Sequence, residues 1–421
     1  MTDPCDILVI GCGAAGLFAS AWAGRTAQAA GFPLALVAVD GARKIGAKIL
    51  VAGGGRCNVT HQKVTEADYA GSTPAAIRKV LRRFTEADTV AFFEQAGVGL
   101  KTEETGKLFP LTDSARTVLA ALVSEAEAAG CRLVHPARVT QLERAGNGFT
   151  AVTEEGEFRS RRVILCTGGK SLPKSGSDGL GLRLVEGLGH SLTVPIVPAL
   201  VPLVLPVGHW ITSLAGLTVS TEVTLRAAGG KRLFAANGST LCTHVGLSGP
   251  AILDISRHWL VARAAEPAVS LTLNWLPGES VESLDGLLVA AQARGALAAL
   301  RGRLSDRLIR TLCEQAAAPT TGDLSREARR RLVGLVAATP LPVTGDRGFT
   351  VAEATAGGVP LAEVRLETME SRICPGLSLA GEVLDVDGRI GGFNFQWAWA
   401  SGFVAGTAAA QKIIQSRATA G

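Results

Sequence analysis

The first 40 residues carry a pattern of apolar runs and glycines that predicts a strand, a turn, a helix and a second strand. Residues Ile7 to Ile10 form an apolar run typical of a buried parallel strand. The segment Gly11 to Gly16 follows with glycines spaced G-x-G-x-x-G, and the alanine-rich stretch from Ala14 to about Ala30 predicts a helix. A second apolar run, Leu34 to Val39, ends in Asp40. This order of elements is typical of a β-α-β unit that binds a dinucleotide.

The glycines and the acid each have a physical task in such a unit. Gly11 permits the tight turn from strand to helix, Gly13 lets the backbone approach a pyrophosphate, and Gly16 lets helix and strand pack closely. The helix N-terminus presents unpaired N–H groups to the phosphates. Asp40 follows at close to the expected spacing, where its carboxylate accepts hydrogen bonds from the adenosine ribose. The alternative, a structural turn without a ligand, is disfavoured by the complete context.

Between residues 60 and 191 the pattern predicts helices and short strands that lead back to the same sheet. Helices begin at Thr73 and Thr85, and Asp113 caps a third helix that runs to Gly130. Residues Thr102 to Phe109 predict a hairpin. The predicted strands of this part are Arg132 to His135, Val139 to Leu142, Phe149 to Thr153 and Phe158 to Leu165.

The last of these strands leads into a second glycine-rich turn, Thr167-Gly168-Gly169. A strand that ends in Thr-Gly-Gly is expected where the chain of an FAD protein of the two-dinucleotide-binding type returns to its cofactor sheet. Another glycine-rich loop, Ser175 to Gly181, precedes a short helix. That loop is either a further part of the ligand site or a plain loop with a helix cap.

The pattern changes at about residue 192. Prolines interrupt an apolar stretch, and the alternation in Leu217 to Leu225 then predicts antiparallel strands, with a turn at Gly229-Gly230. Pro250 begins a helix, and residues 278 to 337 predict several more. The predicted organisation is a discontinuous FAD-binding domain of residues 1–191 and 341–421, an inserted β-rich domain of residues 192–277 and an inserted helical region of residues 278–340.

The C-terminal part returns to glycine-rich segments. A short strand ends in Gly381-Glu382, which supplies a carboxylate for the ribitol hydroxyls of a flavin. Gly391 and Gly392 precede a long alanine-rich helix. The N–H groups at its start are expected near the flavin pyrimidine edge, where negative charge develops on reduction.

The segment Gly53 to Asn58, with the sequence Gly-Gly-Gly-Arg-Cys-Asn, is a further candidate. It is either a loop that places backbone and the Arg56 guanidinium against a flat or anionic ligand, or a flexible surface loop. Cys57 within it is either a thiol near a redox centre or a small buried residue, and without a partner cysteine the second interpretation is favoured.

Length and composition limit the class of protein. The chain has 421 residues, 47% of them hydrophobic and 19% charged, which is typical of a well-packed protein of two or three domains. The net charge of +5 permits anionic ligands but does not argue for nucleic acid, so we expect a small-molecule substrate and no nucleic-acid partner. The arginines of residues 278–337 form either a basic face or an ordinary solvated helix surface.

The cysteines and the apolar stretches exclude further classes. The eight cysteines include no C-x-x-C pair, which excludes the usual zinc patterns and predicts no metal site. Scattered cysteines are typical of reduced thiols, and the N-terminus lacks the basic region of a signal peptide, so a cytoplasmic location is expected. Four prolines interrupt residues 192–207, so no membrane span is predicted.

Together these blocks resemble the YhiN/BaiN-like family of FAD-dependent oxidoreductases, which is distantly related to fumarate-reductase-type flavoproteins. The resemblance extends from the first strand to the last helix. It implies a discontinuous FAD domain with a β-rich and helical insert, and one family member is associated with reduction of a conjugated double bond in a steroid acid. The matching blocks are Gly11 to Gly16, Gly53 to Asn58, Thr167 to Ser171, Thr243 to Pro250, Ala356 to Gly358, Gly381 to Gly388 and Gln396 to Ala398.

The predicted fold is α/β, a Rossmann-like FAD-binding domain of the two-dinucleotide-binding type with an inserted β-barrel-like and helical region. His244, in a glycine-flanked loop, is the candidate proton donor; the alternative is a structural histidine. The predicted cofactor-binding residues are Gly11, Gly13, Ala14, Ala15, Gly16, Asp40, Lys48, Gly54, Gly55, Arg56, Cys57, Asn58, Val139, Thr167, Gly168, Gly169, Gly381, Glu382, Gly391, Gly392, Phe393 and Asn394.

Two functional hypotheses remain at this point. In the first, an enzyme takes hydride from NAD(P)H through FAD and reduces an unsaturated organic substrate. Because a single strand-linked G-x-G-x-x-G is present, either the nicotinamide visits only transiently or another reductant serves. In the second, a non-catalytic flavin-binding module passes electrons or senses redox state and uses its arginine-rich helices to hold an acidic protein or RNA. The sequence does not specify the oligomeric state.

Overall fold

The computed structural model describes residues 4–418, which form two units. The first unit contains residues 4–198 and 353–418, and the second contains residues 199–352. The second unit covers most of the two predicted inserted regions. It begins at residue 199 and ends at residue 352, whereas the predicted insert begins at residue 192 and ends at residue 340. The outer limits of the predicted first domain, residues 1–3 and 419–421, lie outside the described residues.

The first unit is built before the insert from eleven strands, six α-helices and three short 3₁₀ turns. The strands are β1 (Cys5–Ile10), β2 (Leu36–Val39), β3 (Thr60–His61), β4 (Tyr69–Gly71), β5 (Leu100–Thr102), β6 (Lys107–Pro110), β7 (Cys131–Val134), β8 (Val139–Ala145), β9 (Gly148–Thr153), β10 (Gly156–Leu165) and β11 (Thr193–Ala199), whose last residue lies at the boundary. The helices are α1 (Ala14–Ala29), α2 (Ala47–Val51), α3 (Pro74–Leu81), α4 (Glu86–Gln95), α5 (Ala115–Ala128) and α6 (Leu180–Gly187). The 3₁₀ turns are Ala52–Gly55, Glu66–Asp68 and Pro173–Ser175.

The second unit combines a sheet with five α-helices, and the chain then re-enters the first unit. The strands of the second unit are β12 (Leu203–Val204), β13 (Thr218–Arg226), β14 (Arg232–Thr243), β15 (Gly246–Ser248), β16 (Ser270–Asn274), β17 (Thr339–Leu341) and β18 (Gly345–Asp346). Its helices are α7 (Pro250–Ala265), α8 (Val281–Ala291), α9 (Gly295–Leu300), α10 (Asp306–Gln315) and α11 (Arg326–Ala338), with 3₁₀ turns Trp210–Leu214 and Gln292–Arg294. The elements after re-entry are β19 (Ala354–Gly358), β20 (Val364–Arg365), β21 (Glu370–Ser371), β22 (Leu377–Leu379), β23 (Val386–Gly388) and α12 (Phe393–Ala418), with 3₁₀ turns Leu361–Glu363 and Gly381–Val383.

A nine-stranded sheet organises the first unit. Its main path is β20-β21-β22-β10-β1-β2-β7, and β9 joins β10 and β8 as an antiparallel extension. The five strands from β22 to β7 are parallel, so their carboxyl ends share one edge. From β1 the chain continues to β2 and β7 on one side, and β10 and β22 lie on the other. The topological switch point therefore lies between β1 and β10, which is where ligands bind in such sheets.

The predicted first strand and helix are confirmed, and their apolar pattern explains their positions. Every residue of β1 is buried, as expected for a central parallel strand. Helix α1 packs against α12 through small residues. A Cβ atom on Gly402 of α12 would lie 2.8 Å from the Ala15 carbonyl oxygen, and one on Gly406 would lie 2.2 Å from that of Ala19. This close approach fixes the position of α12 beside the glycine-rich turn.

The second unit has its own core. Its seven strands form an antiparallel sheet in the order β17-β16-β13-β14-β15-β12-β18, and α7 packs against β13 and β14. The alternation predicted for Leu217 to Leu225 is confirmed as β13. Trp275 is fully buried and donates from its indole Nε1 to Thr339 Oγ1 at 2.8 Å. The predicted helices after residue 278 are also confirmed.

The predicted N-cap of the third helix was wrong. Helix α5 begins at Ala115 with Ser114 at the N-cap position, whereas Asp113 adopts a positive φ of 49°. The Asp113 carboxylate instead accepts a hydrogen bond from Lys101 Nζ at 2.5 Å and lies 3.6 Å from the Arg56 guanidinium. Two cations therefore hold this side chain at the β5–β6 hairpin.

Among residues 4–418 the structure has no helix with the length and apolar character that crossing a bilayer requires.

Candidate functional site

The carboxyl edge of the parallel sheet brings together four separated segments of the chain. The glycine-rich turn follows β1, Asp40 follows β2, Thr167-Gly168-Gly169 follows β10, and Gly381-Glu382 follows β22. Because these strands are parallel neighbours, the four segments line one crevice at the switch point. The sequence-predicted residues of these segments are thus placed together.

The glycine-rich turn forms an open backbone cradle. Gly11 has φ of 98°, and a Cβ atom there would lie 2.5 Å from the Cys166 carbonyl oxygen. A Cβ atom on Gly16 would lie 1.8 Å from the Gly11 carbonyl oxygen, so glycine is required for this packing. Gly13, in contrast, faces open space, since nothing lies within 4 Å of where its Cβ atom would be. The first turn of α1, with Ala14 and Ala15, thus presents its N–H groups beside a free volume suited to a pyrophosphate.

Asp40 connects the turn to the next part of the crevice. Its carboxylate accepts hydrogen bonds from the backbone N–H groups of Cys12 and Ala42, both at 2.7 Å. Its carbonyl oxygen accepts from Ala137 N at 2.6 Å. Val139, two residues further on, is buried at the start of β8. The segment of Val139 therefore lies beside the acid that is predicted to bind ribose.

Two hydroxyl groups in the segment that follows β10 have no hydrogen-bond partner among the described residues. They are Thr167 Oγ1 and Ser177 Oγ, and both atoms are buried. Ser177 is 94% buried, and its hydroxyl would lie 2.8 Å from a Cβ atom on Gly168. Buried polar groups are nearly always hydrogen-bonded in folded proteins. Two unsatisfied hydroxyls in this segment therefore indicate that a polar ligand completes the site.

The loop of Ser177 is held over the Thr-Gly-Gly turn from two sides. Gly179 donates its N–H to the Gly169 carbonyl oxygen at 2.9 Å. Asp178 pairs with Arg138, which belongs to the segment beside Asp40. This ion pair connects the β2 side of the crevice with the β10 side. Of the two interpretations of the Ser175–Gly181 loop, the geometry favours a part of the site.

Lys48, Glu382 and Ser171 form a polar cluster next to the third segment. Lys48 Nζ pairs with Glu382 Oε2 and donates to Ser171 Oγ at 2.5 Å, and Ser171 Oγ lies 2.8 Å from Glu382 Oε1. Helix α12 fixes the adjacent peptide, because Gly381 N donates to Ser401 Oγ at 2.9 Å and Trp397 Nε1 donates to the Gly381 carbonyl oxygen at 3.2 Å. The Glu382 carboxylate is therefore rigidly positioned.

The N-terminus of α12 is shaped by the two predicted glycines. Gly392 has φ of 92°, and a Cβ atom there would lie 2.7 Å from the Thr60 backbone and 2.9 Å from Asn58 Oδ1. Asn58 Oδ1 is itself buried without a partner among residues 4–418. Gly391 lies against the Phe393 ring, which is 1% exposed and stacks on His61 with centroids 4.8 Å apart. The helix start and the Asn58 amide therefore adjoin each other.

Several predicted residues have side chains that are already engaged. The Arg56 guanidinium bonds Glu103 Oε1 at 2.6 Å and lies 4.0 Å from the Phe109 ring centroid. Asn394 exchanges two 2.9 Å hydrogen bonds with the backbone of Gly388. Burial raises the pKa of the Cys57 thiol to about 12, which agrees with the structural interpretation of this residue. Gly54 and Gly55 lie in the 3₁₀ turn before it, both with positive φ.

His244 belongs to the second unit. It lies between β14 and β15 and is exposed. The structure gives no polar partner for its imidazole among residues 4–418, so the ring is available to solvent. Its role as a proton donor stays a prediction.

Sequence reasoning missed residues that organise the site through backbone contacts. Thr355 Oγ1 accepts from Lys170 N at 2.8 Å and from Ser171 N at 3.1 Å, and Ser401 holds Gly381. Single serines and threonines far apart in the chain form no spacing pattern that predicts a site. Ser177 differs, because it lies in a glycine-rich loop that the sequence already indicated.

The donor set fits a flavin dinucleotide. The open glycine cradle offers partners for its phosphates, and the acid after the second strand and the unsatisfied hydroxyls offer partners for its sugar hydroxyls. The N-terminus of the last helix, bordered by an unpaired amide, offers partners for its pyrimidine edge. Comparison with known proteins agrees with this fit. A family model described as the HI0933-like protein Rossmann domain matches residues 5–408.

Curated relatives align over almost the full chain. Two proteins named ribosomal RNA dihydrouridine synthase are each 32% identical: that of Haemophilus influenzae covers 96% of this chain and 98% of its own, and that of Escherichia coli covers 98% and 99%. A protein of Clostridium scindens named 3-dehydro-bile acid delta(4,6)-reductase is 33% identical over 96% of this chain and 98% of its own. The resemblance drawn from the sequence motifs is confirmed, and the chain belongs to the HI0933-like family of FAD-dependent oxidoreductases.

Proposed function

We propose that this enzyme transfers two electrons from NAD(P)H to a carbon–carbon double bond that is conjugated with a carbonyl group. The observation that carries this proposal is the convergence of four strand ends on one crevice with the donor set of a flavin site. The names of the relatives support the substrate class. One denotes reduction of double bonds in a 3-keto bile acid, and the others denote formation of dihydrouridine, in which a double bond beside a carbonyl is saturated.

Bound FAD supplies the hydride chemistry, and the residues of this chain bind and orient it. The Gly11–Gly16 turn and the start of α1 would hold the pyrophosphate, and Asp40 the adenosine ribose. Glu382, fixed by Lys48 and Ser171, would hold ribitol hydroxyls. The start of α12, which follows Gly391 and Gly392, carries a partial positive charge that would stabilise negative charge at the pyrimidine edge.

The reaction balances as follows. NAD(P)H is oxidised to NAD(P)⁺, a hydride reaches the β-carbon of the substrate, and a proton from the protein or water reaches the α-carbon. We propose His244 as the proton donor, because it is the histidine of a glycine-flanked loop and is exposed. The nicotinamide would bind transiently, since a single strand-linked G-x-G-x-x-G is present.

Two acceptors follow from the relatives. A small unsaturated ketone is one of the unsaturated organic substrates that we expected from the sequence. A uridine of ribosomal RNA is the second candidate, favoured by the names of two relatives, and these names oppose the expectation of no nucleic-acid partner. The arginines of the second unit do not decide between them, because several are neutralised in ion pairs, as in Arg301–Asp306, Arg303–Glu279 and Arg329–Asp285.

The test begins with the purified protein and its flavin content. NADH and NADPH are mixed with it anaerobically, and the loss of flavin absorbance is followed. The reduced enzyme then receives either a 3-keto-Δ4 steroid or ribosomal RNA that lacks dihydrouridine. Mass spectrometry for a gain of two hydrogens identifies the acceptor. Absence of flavin reduction by both nicotinamides would remove the proposed donor, and absence of product from both acceptors would remove the proposed substrate class.

A further inference from the structure

A second cleft lies at the opposite edge of the same sheet. Its volume is about 750 Å³. It is bordered by the start of β1, by the turn into β9 and by residues 159–162 in the middle of β10, where Ser160 pairs with Cys5 of β1. Lys412, Ile413 and Ser416 near the end of α12 close it on one side. Since β1 and β10 run parallel, this is the amino-terminal edge, about 20 Å from the dinucleotide crevice by the length of β1.

The charged side chains that line this cleft are all cationic. They are Arg159, Arg161, Arg162 and Lys412, and no Asp or Glu of the described residues is in the lining. Arg161 and Lys412 are exposed, and neither forms an ion pair with any residue between 4 and 418. Arg159 has one loose pair, at 3.6 Å from Glu157. The cleft therefore presents two cations without an ion pair and one weakly paired cation.

The floor of the cleft contains buried donors without acceptors. Ser160 is 94% buried and Arg162 has a side-chain exposure of 15%, and these two residues point to the same side of β10 because they are two apart. Neither Ser160 Oγ nor Arg162 Nε has a hydrogen-bond partner among residues 4–418. Leaving such groups unpaired costs stability, so an acceptor bound there would be stabilising.

One acid lies behind the floor and remains ionised. Glu370 accepts from the Arg162 guanidinium at 2.5 Å and from Gly376 N at 2.9 Å. Burial acts to raise the pKa of Glu370, but the bond from Gly376 and the positive charges of Arg162 and Lys412 outweigh it and lower the pKa. Glu370 thus neutralises Arg162 and orients its guanidinium. Lys412 also attracts this carboxylate, without an ion pair, whereas Arg159 and Arg161 have no partner in the floor.

We propose that this cleft binds a phosphate group, carried either by a nucleotide or by an RNA backbone. A phosphate offers only acceptor oxygens, which complement a lining of guanidinium, ammonium and hydroxyl donors. The volume lies in the range of sites that enclose a small organic ligand, so a nucleotide fits. This inference concerns a site separate from the flavin crevice and does not rest on the proposed function.

The experiment uses the holoenzyme with its FAD content measured first, so that added anions cannot occupy an empty flavin site. Pyrophosphate and ATP are titrated at low salt by calorimetry, and a short single-stranded RNA is tested as a competitor. We expect saturable binding that weakens as salt rises. The double variant Arg161→Ala/Lys412→Ala should bind at least about tenfold more weakly, because two cations of the cleft are lost. Both side chains are exposed, so the fold is preserved.

The matched control is Arg326→Ala/Arg330→Ala, which removes two exposed arginines of α11, outside the cleft. It carries the same change in net charge and should leave binding unchanged. If RNA competes with the anions, the bound phosphate belongs to a nucleic-acid backbone. If RNA does not compete, the bound phosphate belongs to a nucleotide. Failure of both anions and of RNA to bind would overturn the proposal, as would equal weakening by the control variant. Retained FAD in all variants separates these outcomes from a failure of the flavin site.

Discussion

Lys48 and Glu382 are 334 positions apart in the chain, and their side chains form an ion pair beside the third segment of the crevice. Both are mostly shielded from solvent, with side-chain exposures of 28% and 18%. Ser171 bonds both partners. This pair joins the first half of the FAD-binding unit to the part that follows the insert. It therefore couples the position of the Glu382 carboxylate, which we propose to bind ribitol, to the correct docking of two distant segments.

Glu382→Gln should weaken FAD binding about tenfold and lower the free energy of unfolding by about 1–2 kcal/mol, because the amide keeps the shape but leaves the Lys48 charge unpaired. Fluorescence titration of the apoprotein with FAD measures the first effect, and urea unfolding measures the second. The control is Glu367→Gln, whose ion pair with Lys79 is exposed at 53% and 52%. It should change neither quantity beyond about 0.5 kcal/mol. Equal effects of both variants would contradict a special role of Lys48–Glu382.

Ser177→Ala should have opposite effects on the apoprotein and on FAD binding. The hydroxyl has no partner among residues 4–418, so its removal should leave the apoprotein as stable as before or slightly more stable. If FAD provides the missing partner, its dissociation constant should rise about fivefold to tenfold, since one hydrogen bond contributes about 1 kcal/mol. Thermal unfolding with and without FAD measures both. A variant with unchanged FAD affinity would show that the ligand does not reach Ser177.

The sequence was sufficient for the first β-α-β unit because its signals are local. Gly11, Gly16 and Asp40 act through neighbours that the chain pattern already predicts, and the structure places them as expected. The side-chain partners of Arg56 and Asn394 were not predictable in this way. Arg56 is held by an acid of a hairpin, Glu103, and Asn394 by the backbone of Gly388. Such pairings depend on tertiary packing, for which a single sequence has no periodic signal.

Gly392→Ala should destabilise the protein by at least about 2 kcal/mol and reduce its FAD content. An alanine there would need a left-handed backbone and would place its Cβ atom 2.7 Å from the Thr60 backbone. The matched substitution is Gly334→Ala in α11, where nothing lies within 4 Å of the new Cβ atom. It should stabilise by about 0.5–1 kcal/mol, because alanine is the better helix former. Chemical unfolding and the flavin absorbance of the purified variants test both.

The cysteines should be unreactive in the folded protein. All eight are buried, and burial raises the pKa of Cys5 and Cys57 to about 12 and of Cys131 and Cys242 to about 11. Because the thiolate is the reactive form, a thiol reagent at pH 7.5 should label none of them within minutes and all eight after unfolding in guanidinium. Rapid labelling of Cys57 in the native protein would restore the interpretation of this residue as a redox thiol.

Glu363 should make the stability of the first unit depend on pH in the acid range. Its carboxylate accepts from the buried His190 ring at 2.7 Å and from Ser191 N at 3.2 Å. Burial acts to raise the pKa of Glu363, but the hydrogen bonds from Ser191 and His190 outweigh it and lower the pKa. A carboxylate whose pKa is lowered by folding stabilises the native state above its unfolded pKa, about 4.3. That contribution is lost as the pH falls through the folded value.

The comparison of wild type with Glu363→Gln isolates this contribution, since other acids titrate equally in both proteins. The difference in the free energy of unfolding should shrink steadily as the pH falls below about 4.3. Urea unfolding at several pH values measures it. Glu327→Gln is the control, because that side chain is 84% exposed in its pair with Arg331 and should give a small difference at every pH. A difference for Glu363→Gln that persists or grows at pH 3 would mean that the carboxylate is not preferentially ionised in the folded state.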